Sequence, residues 1–96
     1  MPVKRSVKRC NLPGKAIRSV EEFYEEIARE LHFPDHFGRN LDALWDVLTT
    51  DIEGPVELVW EDSVDSRKSM GKDFEKISSL LQDVAKERKD FHVSFR

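Results

Sequence analysis

A chain of 96 residues has room for one hydrophobic core but not two, and an apolar share of 39% is ordinary for a globular domain. The formal charge of −3 conceals an asymmetry. Residues 1–18 hold six basic side chains (Lys4, Arg5, Lys8, Arg9, Lys15, Arg18) and no acid, and six positive charges against a total of −3 leave −9 on the remainder. An acidic body argues against nucleic acid as the principal ligand, since phosphate contact needs a basic stripe, and it favours a basic partner. The competing reading is that the Lys/Arg-rich start is itself a nucleic-acid or membrane arm, although charges so spread are more often solvated edges.

No apolar run approaches the roughly 20 residues of a membrane-spanning helix, and "MPVKRSVKRC" is not followed by the apolar segment of a signal peptide. A cytoplasmic protein without membrane contact is expected. Cys10 is the only cysteine, so no internal disulfide is possible and a reducing compartment fits.

In chain order, residues 7–12 (VKRCNL) alternate weakly, with Cys10 and Leu12 inward, and predict a first strand closed by Pro13-Gly14. Ser19 with Glu22 three residues later is a capping box, and Val20, Phe23, Tyr24, Ile27, Ala28 and Leu31 follow at helical spacing. Pro34 and Gly38 bracket a loop. Asn40 then caps, through its side-chain oxygen, a second helix expected over about Leu41 to Thr49. Residues 56–60 (VELVW), fronted by Gly54-Pro55, read as a strand with apolar groups on both faces, as in a covered parallel sheet. A short helical turn is expected near 64–69. A long amphipathic helix from about Lys72 to Arg88 presents Phe74, Ile77, Leu80, Leu81 and Val84, and "FHVSF" at 91–95 reads as the last strand. The order β, α, α, β, α, α, β defines an α/β fold class: a small parallel sheet of about three strands, joined by right-handed crossovers and packed with about four helices. One domain spans 1–96, with a basic N-terminal segment at 1–9.

The chemistry concentrates in "FGRNLDALWD" at 37–46. At about 100° per residue from Leu41, the side chains of Leu44, Trp45 and Leu48 fall within roughly 60° of it and form the buried stripe. Asp42, Asp46 and Thr49 project together on a different side, which the short Ala43 and Thr50 extend. Like charges one turn apart destabilise a helix by roughly 0.2–0.5 kcal/mol, so their use lies outside the helix. Asp42 is in the first turn, where the helix dipole favours a carboxylate whether or not it is functional. Asp46 lies beyond that help, and positions i±3 and i±4 hold Asp42, Ala43, Thr49 and Thr50, none of them basic. It is the stronger functional candidate. Trp45 reads first as core, with a contact role open at the edge of the stripe. Gly38 reads as the supplier of a positive φ, its bare backbone also admitting another chain. His36 and Phe37 flank it in the loop.

Catalysis by two acids requires a cleft that raises one pKa, and an exposed helix face lined by Ala and Thr provides none. No phosphate-loop, dinucleotide, nucleophile-elbow or zinc signature occurs, and His32, His36 and His92 make no ligand pattern with the acids or with Cys10. Neither metal nor cofactor is expected, and Cys10 reads as a strand packing group.

With "HFPDHF" before it and "GPVELVW" after it, this stretch resembles the barstar family, protein inhibitors of extracellular ribonucleases of the barnase type. The resemblance spans about residues 10 to 95, includes "AIRSVEEF" ahead of the first helix, and agrees in element order. It implies a non-enzymatic intracellular inhibitor, monomeric when free, that plugs the active site of a small basic secreted ribonuclease one to one. It further implies that Asp46 enters the enzyme's phosphate-binding site and that Asp42 engages the basic rim and active-site groups. Gly38, Asn40, Trp45 and Thr49 match neighbours in the contact loop and helix; Asp83 sits where the family has a contacting Glu, and Glu87 matches a second family acid. His36-Phe37 replace paired tyrosines, Asp51 replaces an aromatic, and Val47 and Lys89 stand in the place of cysteines. Rim residues of this kind set specificity, so a barstar-like immunity or regulatory module for a different basic toxin or protein is the alternative.

Overall fold

The computed structural model describes residues 7–96; of the basic segment, Lys4 and Arg5 lie outside the described residues. Strands β1 (Lys8–Pro13), β2 (Val56–Glu61) and β3 (Phe91–Phe95) form one sheet in the order β1-β2-β3, with both pairings parallel. Helices α1 (Val20–Leu31) and α2 (Leu41–Asp46) lie between β1 and β2, and α3 (Ser63–Met70) and α4 (Lys72–Glu87) between β2 and β3. The α/β class, the three parallel strands and the four helices agree with the element order read from the sequence.

Strand register decides which side chains meet. Lys8, Val56 and Phe91 stand abreast, as do Cys10, Leu58 and Val93, and Leu12, Trp60 and Phe95. Because side chains alternate across a strand, Cys10, Leu12, Val56, Leu58, Trp60 and Phe91 share one face, where they are buried in a common cluster with the helices. The opposite face carries Arg9, Asn11, His92 and Ser94, all exposed, with Glu57 half-buried among them. The expectation of a sheet covered on both faces is therefore corrected. Val59 on this face is itself buried, at 8% exposure, but its neighbours in register are the exposed Asn11 and Ser94, so the rest of the face meets water.

Helix α1 starts as its capping box predicts, the Ser19 Oγ accepting from the Glu22 N–H at 3.2 Å. The Glu22 carboxylate accepts from the Arg18 N–H at 3.0 Å, one residue before the cap. Phe23, Tyr24, Ile27 and Leu31 form its buried face.

Trp60 is the centre of the core. Its ring stacks on Phe23 at 5.2 Å and meets Phe74 edge-on at 4.9 Å. Its Nε1–H donates to the Ser66 Oγ at 3.0 Å, and that hydroxyl donates to the Gly14 carbonyl at 2.9 Å. The relay ties α3 to the turn after β1. Gly14 itself is buried where a Cβ would collide with the backbone carbonyls of Glu61 and Asp62. Gly14→Ala is expected to lower stability by about 1–3 kcal/mol through overpacking against backbone, read as a lower urea midpoint at unchanged slope. A midpoint equal to that of the wild type would show that the turn relaxes freely.

Candidate functional site

The loop ahead of α2 is held from both ends. Phe37 is half-buried, edge-on to Tyr24 at 5.7 Å and to Phe33 at 4.9 Å, while His36 beside it is exposed. Asn40, in extended backbone, caps α2 as expected, its Oδ1 accepting from the Ala43 N–H at 2.8 Å. Its Nδ2 donates to the Gly38 carbonyl at 3.2 Å. The positive φ expected at Gly38 belongs instead to Arg39, at 51°. Gly38 is favoured for space: a Cβ there would lie 3.3 Å from both the Ala43 Cβ and the Asn40 Nδ2, so a bare backbone lets the loop fold tightly onto the first turn of α2.

The helix expected to run to Thr49 is α-helical only to Asp46 and then widens into a π-helical turn, Val47–Asp51, in which the Ile52 N–H reaches back to the Val47 carbonyl at 3.0 Å. Two competitors account for the change. The Thr49 hydroxyl donates to the Trp45 carbonyl at 2.7 Å, a side-chain bond that loosens helical pairing. Arg88 donates to the carbonyls of Leu48 and Ile52, both at 2.7 Å. Leu44 and Leu48 are fully buried, as the stripe predicts, whereas Leu41 and Trp45 are only half-buried and Val47 joins the core.

Asp42 and Asp46 are both exposed, and among the described residues neither carboxylate has an ion-pair or hydrogen-bond partner, unlike Glu26, Glu57 and Glu61, which have Arg29, Arg9 and Arg96. Thr49 is half-buried, its hydroxyl engaged with the helix. Helix α4 packs beside α2, and a shallow groove between them is lined by Leu41, Asp42, Trp45, Lys76, Leu80 and Asp83. The structure thus brings Asp83 to Asp42 and Trp45. Glu87, one turn further along α4, is exposed and lies outside the groove. Lys76 in this groove and Arg88 behind the π turn are contributions that the sequence did not signal, because both act across long chain separations.

Cys10 is fully buried, and burial, with smaller contributions from the Glu30 and Glu26 carboxylates, pushes its thiol up to about 12. The Tyr24 hydroxyl is also raised, by burial and then by Asp73. A raised folded-state pKa means that the unfolded chain releases its proton first. Stability from Cys10 is therefore complete below the ordinary thiol value of 9.0 and is lost as pH rises from there to about 12. The urea midpoint is expected to fall across that window and to fall less steeply in Cys10→Ala; identical pH profiles for the two proteins would contradict it.

Exposed carboxylates on a helix anchored by its other face, bordered by a shallow groove, can accept charge-assisted hydrogen bonds from a cationic partner. The fold and this surface define a small α/β protein that carries exposed acids on one helix face. The family model described as Barstar (barnase inhibitor) matches residues 7–96, and the chain belongs to the barstar family. A Bacillus subtilis (strain 168) protein named "Putative ribonuclease inhibitor YrdF" is 31% identical over 84 residues, covering 88% of this chain and 92% of that protein. Barstar-family proteins are inhibitors, not enzymes, and their partner is a ribonuclease. Among the described residues no helix is long and apolar enough to cross a membrane, and no three His, Cys, Asp or Glu side chains gather to hold a metal ion.

Proposed function

We propose that the protein is a cytoplasmic inhibitor of a small, basic, secreted ribonuclease of the barnase type, binding one to one and occluding the phosphate-binding centre with α2 and the loop before it. The observation that carries this reading is the pair of exposed carboxylates, Asp42 and Asp46, with no ion-pair partner among the described residues, on a helix whose opposite face is buried through Leu44 and Leu48. A ribonuclease active site gathers Arg, Lys and His to hold phosphate. The Asp46 carboxylate takes the place of that phosphate and accepts charge-assisted, bidentate bonds, while Asp42 engages the basic rim. Gly38, Asn40 and Thr49 frame the contact, Trp45 supplies its half-exposed ring, and His36, Phe37, Asp83 and Glu87 form its margin. A cationic partner also relieves the repulsion between the two acids. Opposite charge steers the encounter, so association slows as salt is added.

Titration calorimetry against barnase and a panel of other basic microbial ribonucleases tests the reading. A one-to-one complex that abolishes RNA cleavage and is competed by a mononucleotide filling the enzyme's phosphate site supports it. Binding that leaves cleavage intact overturns it, as does no binding across the panel. Tight binding to a basic toxin that is no nuclease would favour the alternative of a barstar-like immunity module.

A further inference from the structure

Arg88 follows α4 directly, its side chain only 14% exposed. Four of its five N–H groups have fixed acceptors. Nε and Nη2 hold the two oxygens of Asp90 at 2.9 and 3.0 Å, and Nη1 is shared between the carbonyls of Leu48 and Ile52, each at 2.7 Å.

The two carbonyl bonds reach back 40 and 36 residues to the π turn that continues α2. In an α-helix the Leu48 carbonyl would accept from the Ile52 N–H. That N–H here goes to Val47, which frees the Leu48 carbonyl, while the Ile52 carbonyl lies past the helix end. Arg88 supplies both with donors. Its planar fork is held in turn by the Asp90 carboxylate, and the Asp90 carbonyl accepts from the Val56 N–H at 2.8 Å, where β2 begins. A continuous set of hydrogen bonds therefore runs from the sheet through Asp90 and Arg88 to the end of the acidic helix.

We infer that Arg88 is a positioning residue for the acidic face: it clamps the π-widened end of α2 to the sheet and so sets the direction in which Asp46, the residue just before that turn, presents its carboxylate. What Asp46 meets rests on the function proposed above; the clamp itself does not. Arg88 touches no partner in this scheme. Its effect arises because charge-assisted hydrogen bonds weaken steeply with misalignment, and because a pre-aimed side chain loses little freedom on binding.

Arg88→Met keeps the stem and removes every donor. In the free protein, amide hydrogen exchange at Thr50 to Ile52 is expected to quicken tenfold or more, with α1 and α4 protected as in the wild type; unchanged exchange at those amides overturns the clamp. With barnase as the probe, the same variant is expected to associate within about twofold of the wild-type rate and to dissociate at least tenfold faster. Asp46→Asn then costs at least threefold less affinity in the Arg88→Met background than in the wild type. Strictly additive losses would make Arg88 merely structural and overturn its part in aiming Asp46. Should Arg88→Met fail to fold, Arg88→Lys, which keeps the charge and part of the donor set, carries both readouts with intermediate values. A wild-type protein that ignores barnase counts against the ribonuclease reading, and the exchange result then decides the clamp by itself.

Discussion

Asp46→Ala is expected to weaken binding to the ribonuclease by roughly 30- to 5,000-fold, about 2–5 kcal/mol, the range for removing one partner of a buried, hydrogen-bonded charge pair. Asp42→Ala and Asp83→Ala should each lose far less. The ranking follows from position. Asp42 sits in the first turn of α2, where the helix dipole already gives a carboxylate a reason to be present, and with Asp83 it lines the groove that Lys76 shares. Charges at a rim mainly change association rate and its salt dependence, whereas a desolvated carboxylate inside a cationic pocket controls dissociation. Removing Asp46 also ends its repulsion of Asp42, so the free variant should be steadier by about 0.2–0.5 kcal/mol, visible as a slightly higher thermal midpoint. Calorimetry with the inhibited enzyme checks the ranking. Equal, small losses at all three acids would remove phosphate mimicry as the basis of inhibition.

Trp60→Ala is the second large expected effect, on stability and not on binding. Trp60 is fully buried between Phe23 and Phe74, and its loss leaves a cavity that surrounding rings fill poorly. A cost of about 3–5 kcal/mol is typical for that deletion. Measured against a total of about 5–15 kcal/mol, with a chain this small toward the lower end, the variant should be partly unfolded near 37 °C. Trp60→Phe is the milder variant: it keeps part of the ring packing, removes the indole donor to Ser66, worth about 1 kcal/mol, and leaves a smaller cavity, so its cost falls between that figure and the cost of the Ala variant. Urea unfolding measures both. A loss below about 2 kcal/mol in Trp60→Ala would show that the aromatic cluster collapses around the gap. Since Trp45 is the only other tryptophan and is half-buried beside Asp42, the fluorescence of either Trp60 variant would report α2 alone.

How much of this was legible in the chain depends on the range of the interaction involved. The caps at Ser19 and Asn40, the inward pair Cys10 and Leu12, and the apolar faces of α1 and α4 are short-range features, and the structure has each of them. Three readings failed because the folded packing, and not the local pattern, chose the contacts. Gly38 looked like a positive-φ glycine, but the pressure on it is the Ala43 and Asn40 side chains that the folded loop brings close. Val59 is buried, but the sheet face it made look covered is otherwise polar and exposed, as its register neighbours Asn11 and Ser94 show. The helix drawn to Thr49 changes type after Asp46, since its later carbonyls belong to Arg88.

Local pattern was therefore enough for the α/β class, the element order and the acidic helix, all of which depend on residues within a turn or two of one another. Only the assembled fold decided which sheet face meets water, that Asp83 and not Glu87 shares a groove with Asp42, and what holds the end of α2. Those outcomes rest on side chains tens of residues apart. Packing and strand register bring such groups together, and neither is written in any short stretch of chain.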